Sequence, residues 1–517
     1  MSAAVMALGH LVERARQRGL AAEARGGACA GVVVEGISND SRKVGPGHVF
    51  VAMAGTREDG GKYIDAALAA GAVAVVCTAQ NARRDALCIV VDDPHWAAGV
   101  LASAFYGDPS EAMDVVAVTG TNGKTSCTYL LESVWKTAGR SPGVIGTIVQ
   151  RCSSFERVAD MTTPSAIDLQ KTLADMLAAG CDAVAMEASS HALDQRRIAG
   201  CRIRTGVFTN LTRDHLDYHQ TEESYFAAKA SLFRRHLQQG SAAVLNVEDA
   251  RVASLAQELT EQRPDIDVWT YSTERGAASR ARVLEAECTL VGIRARLEVD
   301  GETVVVRSPL VGAANLSNIV AVAAAGCALG IDAEVVGQGL SACPPVPGRM
   351  QRISPRPPAV LVDYAHTPDA LERSIRALLP ETSGRLIVVF GCGGDRDRGK
   401  RPIMGGIAGE LADVAVLTSD NPRTERPEDI LADIESGVGT RLARTTASEL
   451  AEPDARGYVV EADRRTAIEA AIALAADEDV VLVAGKGHED YQEVHGVKRH
   501  FDDREVASAA LARRSGN

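Results

Sequence analysis

The chain has 517 residues, of which 46% are hydrophobic and 24% charged, values typical of globular proteins. A chain of this length is expected to form about three or four domains. The formal net charge of −13 argues against non-specific nucleic-acid binding, and the eleven cysteines show no CxxC pair, which indicates reduced thiols in a cytoplasmic protein. Met1–Gly19 is typical of an amphipathic helix and not of a signal peptide. No apolar run approaches the roughly 18 residues of a membrane span.

The first hundred residues alternate short strands and helices. The predicted strands are Gly31–Glu35, His48–Ala54, Ala72–Cys77 and Cys88–Val91, and the predicted helices are Tyr63–Ala70 and Pro94–Tyr106. The Asp-Ser-Arg sequence at 40–42 is equally compatible with an Asx-type turn and with a binding loop. A turn-rich joint at 107–110 marks a plausible domain boundary.

From Asp114 onward strands and helices alternate strictly, which predicts a parallel sheet with crossover helices. The predicted strands are one that ends at Gly120, then Pro142–Ile148, Ala183–Glu187, Thr205–Thr209 and Ala242–Asn246, with further strands around Val291–Glu298 and Thr303–Ser308. The predicted helices are Thr128–Ala138, Ala166–Ala179, Tyr225–Leu237 and an alanine-rich helix that runs through Ala328.

The segment VVAVTGTNGKTS at 115–126 predicts a buried strand, a phosphate loop and the first turn of a helix. Gly120 and Gly123 lack Cβ atoms, so the backbone can direct N–H groups at phosphate oxygens. Lys124 can then neutralise outer phosphates, and the Thr125 hydroxyl is placed to bind Mg²⁺. The loop is a shortened GxxGKT, because Val118 stands where the common pattern has its first glycine.

Two further strand ends carry candidate metal ligands. Glu187 ends one predicted strand, and a carboxylate beside a phosphate loop can support nucleotide-bound Mg²⁺, although a surface role is the alternative. The segment NLTRDHLDYH at 210–219 places two His and two Asp within six residues, which fits either metal ligands or a solvated polar loop. Lys229, on the following helix, is by itself typical of a solvated lysine.

A proline-rich segment at 343–348 marks a second linker, and the remainder predicts a separate doubly wound domain. Its predicted strands are Ala359–Asp363, Leu386–Phe390, Val414–Thr418 and Asp479–Ala484, each followed by polar or charged residues. The overall fold class is therefore α/β with three domains: a small N-terminal domain at 1–110, a central phosphate-loop domain at 111–346 and a Rossmann-like C-terminal domain at 347–517.

Taken together, the motifs of this chain resemble those of the Mur ligase family. They are GTNGKT at 120–125, TTP at 162–164, EASSH at 187–191, NLTRDHLDYH at 210–219, the helical Lys229, GxxNxxN at 312–318, PGRM at 347–350 and DYAHTPDAL at 363–371. The resemblance covers nearly the whole chain. It implies ATP-dependent amide-bond formation through an acyl phosphate in peptidoglycan precursor synthesis, by a cytoplasmic protein that is expected to be a monomer.

The resemblance also assigns residues to three substrates. For ATP it implies Gly120, Thr121, Asn122, Gly123, Lys124, Thr125, Ser126, Asn315, Arg349 and Asp363, with His366 nearby. For UDP-N-acetylmuramoyl-L-Ala-D-Glu it implies Asn39, Ser41, Thr56, Arg57, Glu58, Thr162, Thr163, Ser189, Gln195 and Arg197, with Arg196 as an alternative to its neighbour. For meso-diaminopimelate it implies Arg396, Asp420, Asn421, Pro422, Arg423, Gly485 and Glu489.

The catalytic residues implied by the resemblance are Lys124, His215 and Lys229. One Mg²⁺ is expected on Thr125 and Glu187, and a second on His215 and on Lys229 as a carbamate, since a protonated lysine cannot bind a cation.

The DNPR sequence at 420–423 is associated in this family with diaminopimelate, and its arginine suits the distal carboxylate that lysine lacks. The alternatives are a lysine-adding Mur ligase, a folylpolyglutamate synthase-like ligase, and a nucleotide-binding module that hydrolyses ATP without ligating anything.

Overall fold

In the computed structural model, which describes residues 5–55 and 58–515, the chain forms three α/β units in sequence order. The N-terminal unit contains β1 (Met6–Ala7), α1 (Leu8–Gln17), β2 (Glu23–Arg25), β3 (Val33–Val34), β4 (Gly36–Ser38), β5 (His48–Val51), α2 (Ile64–Ala69), β6 (Ala74–Cys77), β7 (Cys88–Val90) and α3 (Pro94–Phe105). Its main sheet has the order β2-β7-β6-β5-β4, and β4 to β7 are mutually parallel.

The central unit is built on an 11-stranded sheet. Its elements are β8 (Asp114–Thr119), α4 (Lys124–Thr137), β9 (Pro142–Ile145), β10 (Val149–Cys152), β11 (Phe155–Val158), α5 (Ala166–Ala178), β12 (Ala183–Glu187), α6 (Ser190–Asp194), β13 (Ile203–Phe208), α7 (Leu216–His219), α8 (Glu222–Ser231), β14 (Leu237–Asn246), α9 (Ala250–Gln262), β15 (Asp267–Ser272), β16 (Ala281–Thr289), β17 (Gly292–Val299), β18 (Glu302–Ser308), α10 (Ala313–Ala328) and α11 (Ala333–Ala342).

The middle of this sheet, β9-β12-β8-β13-β14-β15-β16, is parallel, which confirms the predicted crossover topology. Antiparallel strands extend it at both edges, β10 and β11 on one side and β17 and β18 on the other. Helices α4, α10 and α11 cover one face and α5 and α9 the other, each with its own apolar core. The carboxyl ends of β12, β8 and β13 therefore lie side by side at one end of a sheet that is covered on both faces.

The C-terminal unit has a six-stranded sheet in the order β19-β20-β24-β21-β22-β23, parallel except for β19. Its elements are β19 (Gln351–Arg352), β20 (Ala359–Asp363), α12 (Pro368–Leu378), β21 (Leu386–Phe390), α13 (Lys400–Leu411), β22 (Val414–Leu417), α14 (Pro427–Val438), β23 (Gly457–Val460), α15 (Arg464–Leu474), β24 (Val480–Ala484), β25 (Tyr491–Val494), β26 (Val497–His500) and α16 (Asp503–Ser515). The predicted doubly wound arrangement is confirmed.

Several predicted bounds are wrong. The helix expected at Tyr225–Leu237 ends at Ser231, continues as a π-helical turn over Leu232–His236, and gives way to β14, which begins at Leu237 and not at Ala242. The strand expected to reach Ile148 ends at Ile145, because a hairpin of β10 and β11 follows it. Among the described residues, no helix combines the length and the apolar character required to cross a membrane.

Candidate active site

The phosphate loop lies between β8 and α4, and its two glycines are required by close packing as well as by conformation. Gly120 has φ +142°, and an added Cβ would lie 1.9 Å from the Thr209 hydroxyl oxygen. Gly123 has φ +89°, and an added Cβ would lie 2.3 Å from Oδ1 of Asn318. The loop therefore fits against the end of β13 and the start of α10, which fixes its path before any phosphate binds.

Lys124 closes over this loop. Its Nζ donates hydrogen bonds of 2.9 Å to the carbonyl oxygens of Gly120 and Thr121. Burial lowers the pKa of Lys124 from its usual value, while Glu187 and Asp214 act in the opposite direction. The ammonium thus lies where nearby carboxylates and loop carbonyls can hold a cation beside bound phosphates.

Glu187 lies at the end of β12 with 1% of its surface exposed, which excludes the surface role. Its Oε1 accepts hydrogen bonds from the Thr125 hydroxyl at 3.0 Å and from the Thr147 backbone N–H at 2.8 Å. Its Oε2 accepts from the Thr147 hydroxyl at 3.0 Å. The carboxylate and the Thr125 hydroxyl form a pair of oxygen donors directly under the phosphate loop, a donor set that suits Mg²⁺.

Lys229 is not a solvated lysine, because only 1% of its surface is exposed. From α8 its Nζ donates to the carbonyl oxygen of Gly120 at 2.8 Å and lies 4.6 Å from the centre of the Tyr225 ring. Burial, reinforced by the charge of Lys124, lowers the pKa of Lys229 well below its usual value, with Asp214 opposing. Burial at this position therefore favours the neutral form of the amine over the ammonium.

His215 lies in the segment that follows β13, and its backbone is in a left-handed conformation, with φ +52°. Its Nε2 lies 3.4 Å from Asp214, and its ring centre lies 4.8 Å from that of His191. Burial lowers the pKa of His215 to about 4, so its ring is neutral at pH 7 and can offer a nitrogen lone pair. Among the described residues, no three His, Cys, Asp and Glu side chains converge as a ready-made metal site.

A second group of predicted residues lies beside Glu187 and holds together as a network. Thr163 donates through its hydroxyl to the Glu187 carbonyl at 2.7 Å and accepts from the Ser189 N–H at 3.2 Å. Arg197 donates to the Thr163 carbonyl at 3.0 Å and to Oε1 of Gln195 at 2.7 Å.

The remaining members of that group clarify the choice between the two neighbouring arginines. The Thr162 and Thr147 hydroxyl oxygens lie 3.1 Å apart, which ties Thr162 to the same network. Arg196, by contrast, forms an ion pair of 2.9 Å with Asp93 of the N-terminal unit. Arg197 is thus the arginine that contacts the predicted peptide-binding residues, and Arg196 joins two units.

Two of the N-terminal candidates lie at the carboxyl end of β4, and Glu58 lies in the loop after β5. Asn39 and Ser41 flank Asp40, whose side chain accepts hydrogen bonds from the backbone and guanidinium of Arg42. This segment is an Asx-type turn, and a turn is compatible with a binding loop. Glu58 is exposed and hydrogen-bonded to the Tyr63 hydroxyl. Thr56 and Arg57 lie outside the described residues.

The C-terminal candidates converge where β22 and β24 end. Asn421 donates to Oε2 of Glu489 at 2.8 Å, and Asp420 would lie 2.8 Å from a Cβ added at Gly485, whose φ is +119°. Arg423 donates to the Gly394 carbonyl at 2.8 Å.

Arg396 and Pro422 lie against the same glycine-rich loop after β21. An added Cβ at Gly393 would lie 2.9 Å from Nη1 of Arg423 and 3.7 Å from Cγ of Arg396, and one at Gly394 would lie 2.0 Å from the Pro422 carbonyl oxygen. Arg396 is exposed, so its guanidinium can turn toward a ligand. The site thus places cationic forks and a carboxylate on neighbouring loops.

The linker brings the C-terminal unit onto the phosphate loop. Arg349 donates to the Thr125 hydroxyl at 3.1 Å, with its guanidinium 4.5 Å from the centre of the Tyr364 ring. Asp369 of α12 accepts hydrogen bonds from Thr212 at 3.0 Å and from Asn122 at 3.4 Å.

Two residues expected to contact ATP are engaged within the protein. Asp363 accepts from the Met350 N–H at 2.9 Å and from the Ser374 hydroxyl at 2.6 Å. Asn315 donates to the Val311 carbonyl at 2.9 Å. In this conformation both side chains are therefore hydrogen-bonded within the protein, Asp363 near the linker and Asn315 at the start of α10.

Comparison with known proteins identifies the family. The Mur ligase catalytic domain model matches residues 33–106, the Mur ligase middle domain 118–326 and the Mur ligase glutamate ligase domain 348–487. A UDP-N-acetylmuramoyl-L-alanyl-D-glutamate–2,6-diaminopimelate ligase of Synechococcus elongatus is 46% identical over 94% of this chain and 96% of its own. The chain belongs to the Mur ligase family.

Solved structures agree with this assignment. The structure of a UDP-N-acetylmuramoyl-L-alanyl-D-glutamate–2,6-diaminopimelate ligase matches this Mur ligase with a TM-score of 0.68 and 34% identity, over 93% of this chain and 95% of that one. The MurF ligase from Thermotoga maritima, solved in complex with ADP, shares the fold, with a TM-score of 0.59 and 20% identity over 92% and 98% of the two chains. The three-domain α/β architecture is thereby confirmed.

Four contacts of this Mur ligase were missed by the sequence reasoning. Thr147 holds Glu187, Asn318 lines the phosphate loop, and Asp369 joins two units. Lys486 is completely buried between Asn421, at 3.2 Å, and Glu489, at 3.1 Å. The GxxNxxN and DYAHTPDAL motifs include Asn318 and Asp369, and Lys486 lies between the predicted site residues Gly485 and Glu489. No motif marks Thr147, and none specifies which side chain makes the contact.

Replacing Gly348 by alanine is expected to lower both stability and kcat, because the linker is packed against the loop after β24. Gly348 has φ +62°, and an added Cβ would lie 2.1 Å from the carbonyl carbon of Gly487. The displaced linker would carry Arg349 away from Thr125. Thermal unfolding and steady-state ligation rates measure the two effects.

The matched control for that variant is Gly330→Ala. Gly330 has φ +79° with nothing within 4 Å of an added Cβ, so this change should cost only the ~1 kcal/mol of a left-handed alanine and leave kcat unchanged. Equal losses in the two variants would show that the close approach at the linker is unimportant.

Proposed function

We propose that this Mur ligase joins meso-2,6-diaminopimelate to UDP-N-acetylmuramoyl-L-alanyl-D-glutamate at the expense of ATP, the activity for which its relatives are named. The observation that carries the choice of amino acid is the presence of Arg423 and Glu489 on neighbouring loops of one site. The distal end of diaminopimelate bears an ammonium and a carboxylate, so it needs an anionic and a cationic partner. Lysine needs only the first.

The reaction proceeds in two steps. The free carboxylate of the UDP-sugar dipeptide attacks the γ-phosphorus of ATP, and the bond from that phosphorus to the β–γ bridging oxygen breaks. ADP departs, and the dipeptide carries an acyl phosphate. The amine of diaminopimelate then attacks the acyl carbon, inorganic phosphate departs and the nitrogen loses a proton. Lys124 offsets the charge of the transferring group, and the loop N–H groups hold the phosphates in line.

The donor atoms at the phosphate loop fit Mg²⁺. Thr125 and Glu187 would hold one ion, and His215 with a carbamate on Lys229 would hold a second. Mg²⁺ supplies charge neutralisation on the phosphate oxygens. The neutral Lys229 amine can add to CO₂ with loss of one proton, which replaces a cationic group by an anionic pair of oxygens.

The remaining substrate contacts are distributed over the three units. Arg349 lies close enough to the phosphate loop to contact ATP from the linker, and Asn315 lies at the start of α10 beside Asn318. Arg197, Thr163 and Ser189 form the surface for the muramoyl peptide. Asn39, Ser41 and the segment 56–58 are assigned to the UDP end.

We place the reaction in the cytoplasm, where nucleotide substrates and reduced thiols occur together, without a nucleic-acid or membrane partner. A monomer is sufficient, since one chain carries the residues assigned to all three substrates. Reduced thiols are supported by the eleven free cysteines.

The direct test is to incubate the purified protein with ATP, Mg²⁺ and the UDP-sugar dipeptide, adding diaminopimelate, lysine or neither. We expect peptide product and stoichiometric phosphate only with diaminopimelate. Equal use of lysine would indicate the lysine-adding alternative. Phosphate release without the dipeptide would indicate a nucleotide hydrolase, and activity with folate and glutamate would indicate a folylpolyglutamate synthase.

A further inference from the structure

A completely buried ion pair lies beneath the amino-acid site. Arg464 and Asp503 each have 0% of their side-chain surface exposed. The guanidinium donates from Nε to Oδ1 at 2.8 Å and from Nη2 to Oδ2 at 2.7 Å. Arg464 begins α15 and Asp503 begins α16, so the pair joins the first turns of two helices.

The same guanidinium also binds two backbone carbonyls at the carboxyl ends of the strands. Nη1 donates to the Ser419 oxygen at 3.3 Å and Nη2 to the Ala484 oxygen at 3.0 Å. These residues immediately precede Asp420 and Gly485, the first residues of the two loops that form the amino-acid site. The strands that lead into these loops, β22 and β24, are separated by β21, so Arg464 spans three strands.

We propose that Arg464 is a positioning residue, oriented by Asp503, that sets the separation between the loops at 420–423 and 485–489. This inference rests on the proposed function of that site. A buried ion pair is weak evidence for stability alone, since its desolvation cost offsets much of its attraction. The two carbonyl contacts connect this pair to the site, because they are made to the residues directly before Asp420 and Gly485. A planar guanidinium can bind a carboxylate and two carbonyls at once, whereas an ammonium cannot reproduce that geometry.

A matched control lies in the same sheet, at the opposite ends of its strands. Arg385 and Asp479 precede β21 and β24, have 8% and 3% of their side-chain surfaces exposed, and form an ion pair of 3.0 Å. Arg385 also donates to backbone carbonyls, among them that of Leu450 at 2.8 Å. This pair has the same chemistry and similar burial, but it lies at the amino ends of the strands, away from the site loops.

The experiment compares Arg464→Lys with Arg385→Lys, measuring the thermal midpoint and the kcat and KM for each of the three substrates. For Arg464→Lys we expect kcat/KM for diaminopimelate to fall roughly ten- to hundredfold, mainly through KM, as expected when site groups are displaced by a fraction of an ångström. The KM values for ATP and for the UDP-sugar dipeptide should stay within about twofold. Arg385→Lys should lower the thermal midpoint comparably and leave all three KM values unchanged.

Equal changes in KM for diaminopimelate in both variants, or none in Arg464→Lys, would overturn the inference. If Arg464→Lys fails to fold, Asp503→Asn replaces it, since asparagine retains one acceptor for the guanidinium and should raise the same KM to a smaller extent. The wild-type protein separates the two hypotheses. Failure to use diaminopimelate at all would refute the proposed function, whereas normal use with no selective effect at Arg464 would refute only its positioning role.

Discussion

Replacing Lys229 by alanine is expected to reduce ligation roughly a thousandfold, the scale associated with removing a preorganised group that stabilises transferring charge. The side chain is buried against the Gly120 carbonyl, and burial biases its amine toward the neutral form. A neutral amine can take up CO₂, and the resulting carbamate would supply anionic oxygens at the phosphate loop. Added acetate or formate should partly restore turnover in Lys229→Ala by occupying the vacated space with a carboxylate.

The controls for this prediction separate a carbamate from a generic lysine. Lys229→Arg retains a cation that cannot form a carbamate, so it should be inactive and should not be rescued. Lys136→Ala removes another helical lysine of the central unit, one that pairs with Glu132 and is 62% exposed, and it should retain full activity. Full turnover of folded Lys229→Ala, or no rescue by any short carboxylic acid, would contradict the carbamate.

The parallel strands that carry the site could be predicted because most of their residues are apolar, although β13 also contains Arg204 and Thr205. The strands β8, β12 and β13 are buried on both faces, and their ends therefore mark the loops where ligands bind. The antiparallel β10, β11, β25 and β26 could not be predicted, since their residues are largely half-buried or exposed and leave no apolar run.

The candidate site could be predicted from the sequence only in part, and the reason is a different one. Residue types identified Glu187 and the phosphate loop, but burial decides the chemistry of lysines. Lys229 and Lys486 look like surface residues in the sequence, and both are buried by partners distant in the chain. Sequence also could not choose between Arg196 and Arg197, because their directions depend on a left-handed backbone at Arg196, where φ is +58°.

Replacing Arg423 by alanine is expected to lower kcat/KM for diaminopimelate about ten- to hundredfold, which corresponds to the loss of one charge-assisted bidentate contact. The KM values for ATP and the UDP-sugar dipeptide should not change. Arg423 has φ +52°, and its backbone N–H donates to the Glu493 carbonyl at 3.0 Å, so β25 holds its backbone in place. The side chain keeps 20% of its surface exposed, where a ligand can reach it. Steady-state kinetics with each substrate varied in turn measure the effect.

Arg426→Ala is the matched control for that variant, because Arg426 lies three residues further along the chain and is 75% exposed, paired only loosely with Glu428 at 3.7 Å. It should retain wild-type kinetics. A lysine substrate provides the decisive comparison: if Arg423 binds the distal carboxylate, its removal should lower the preference for diaminopimelate over lysine, since only the former loses a partner. If kcat/KM for both amino acids falls by the same factor, so that the preference is unchanged, Arg423 supports the loop and does not select the substrate.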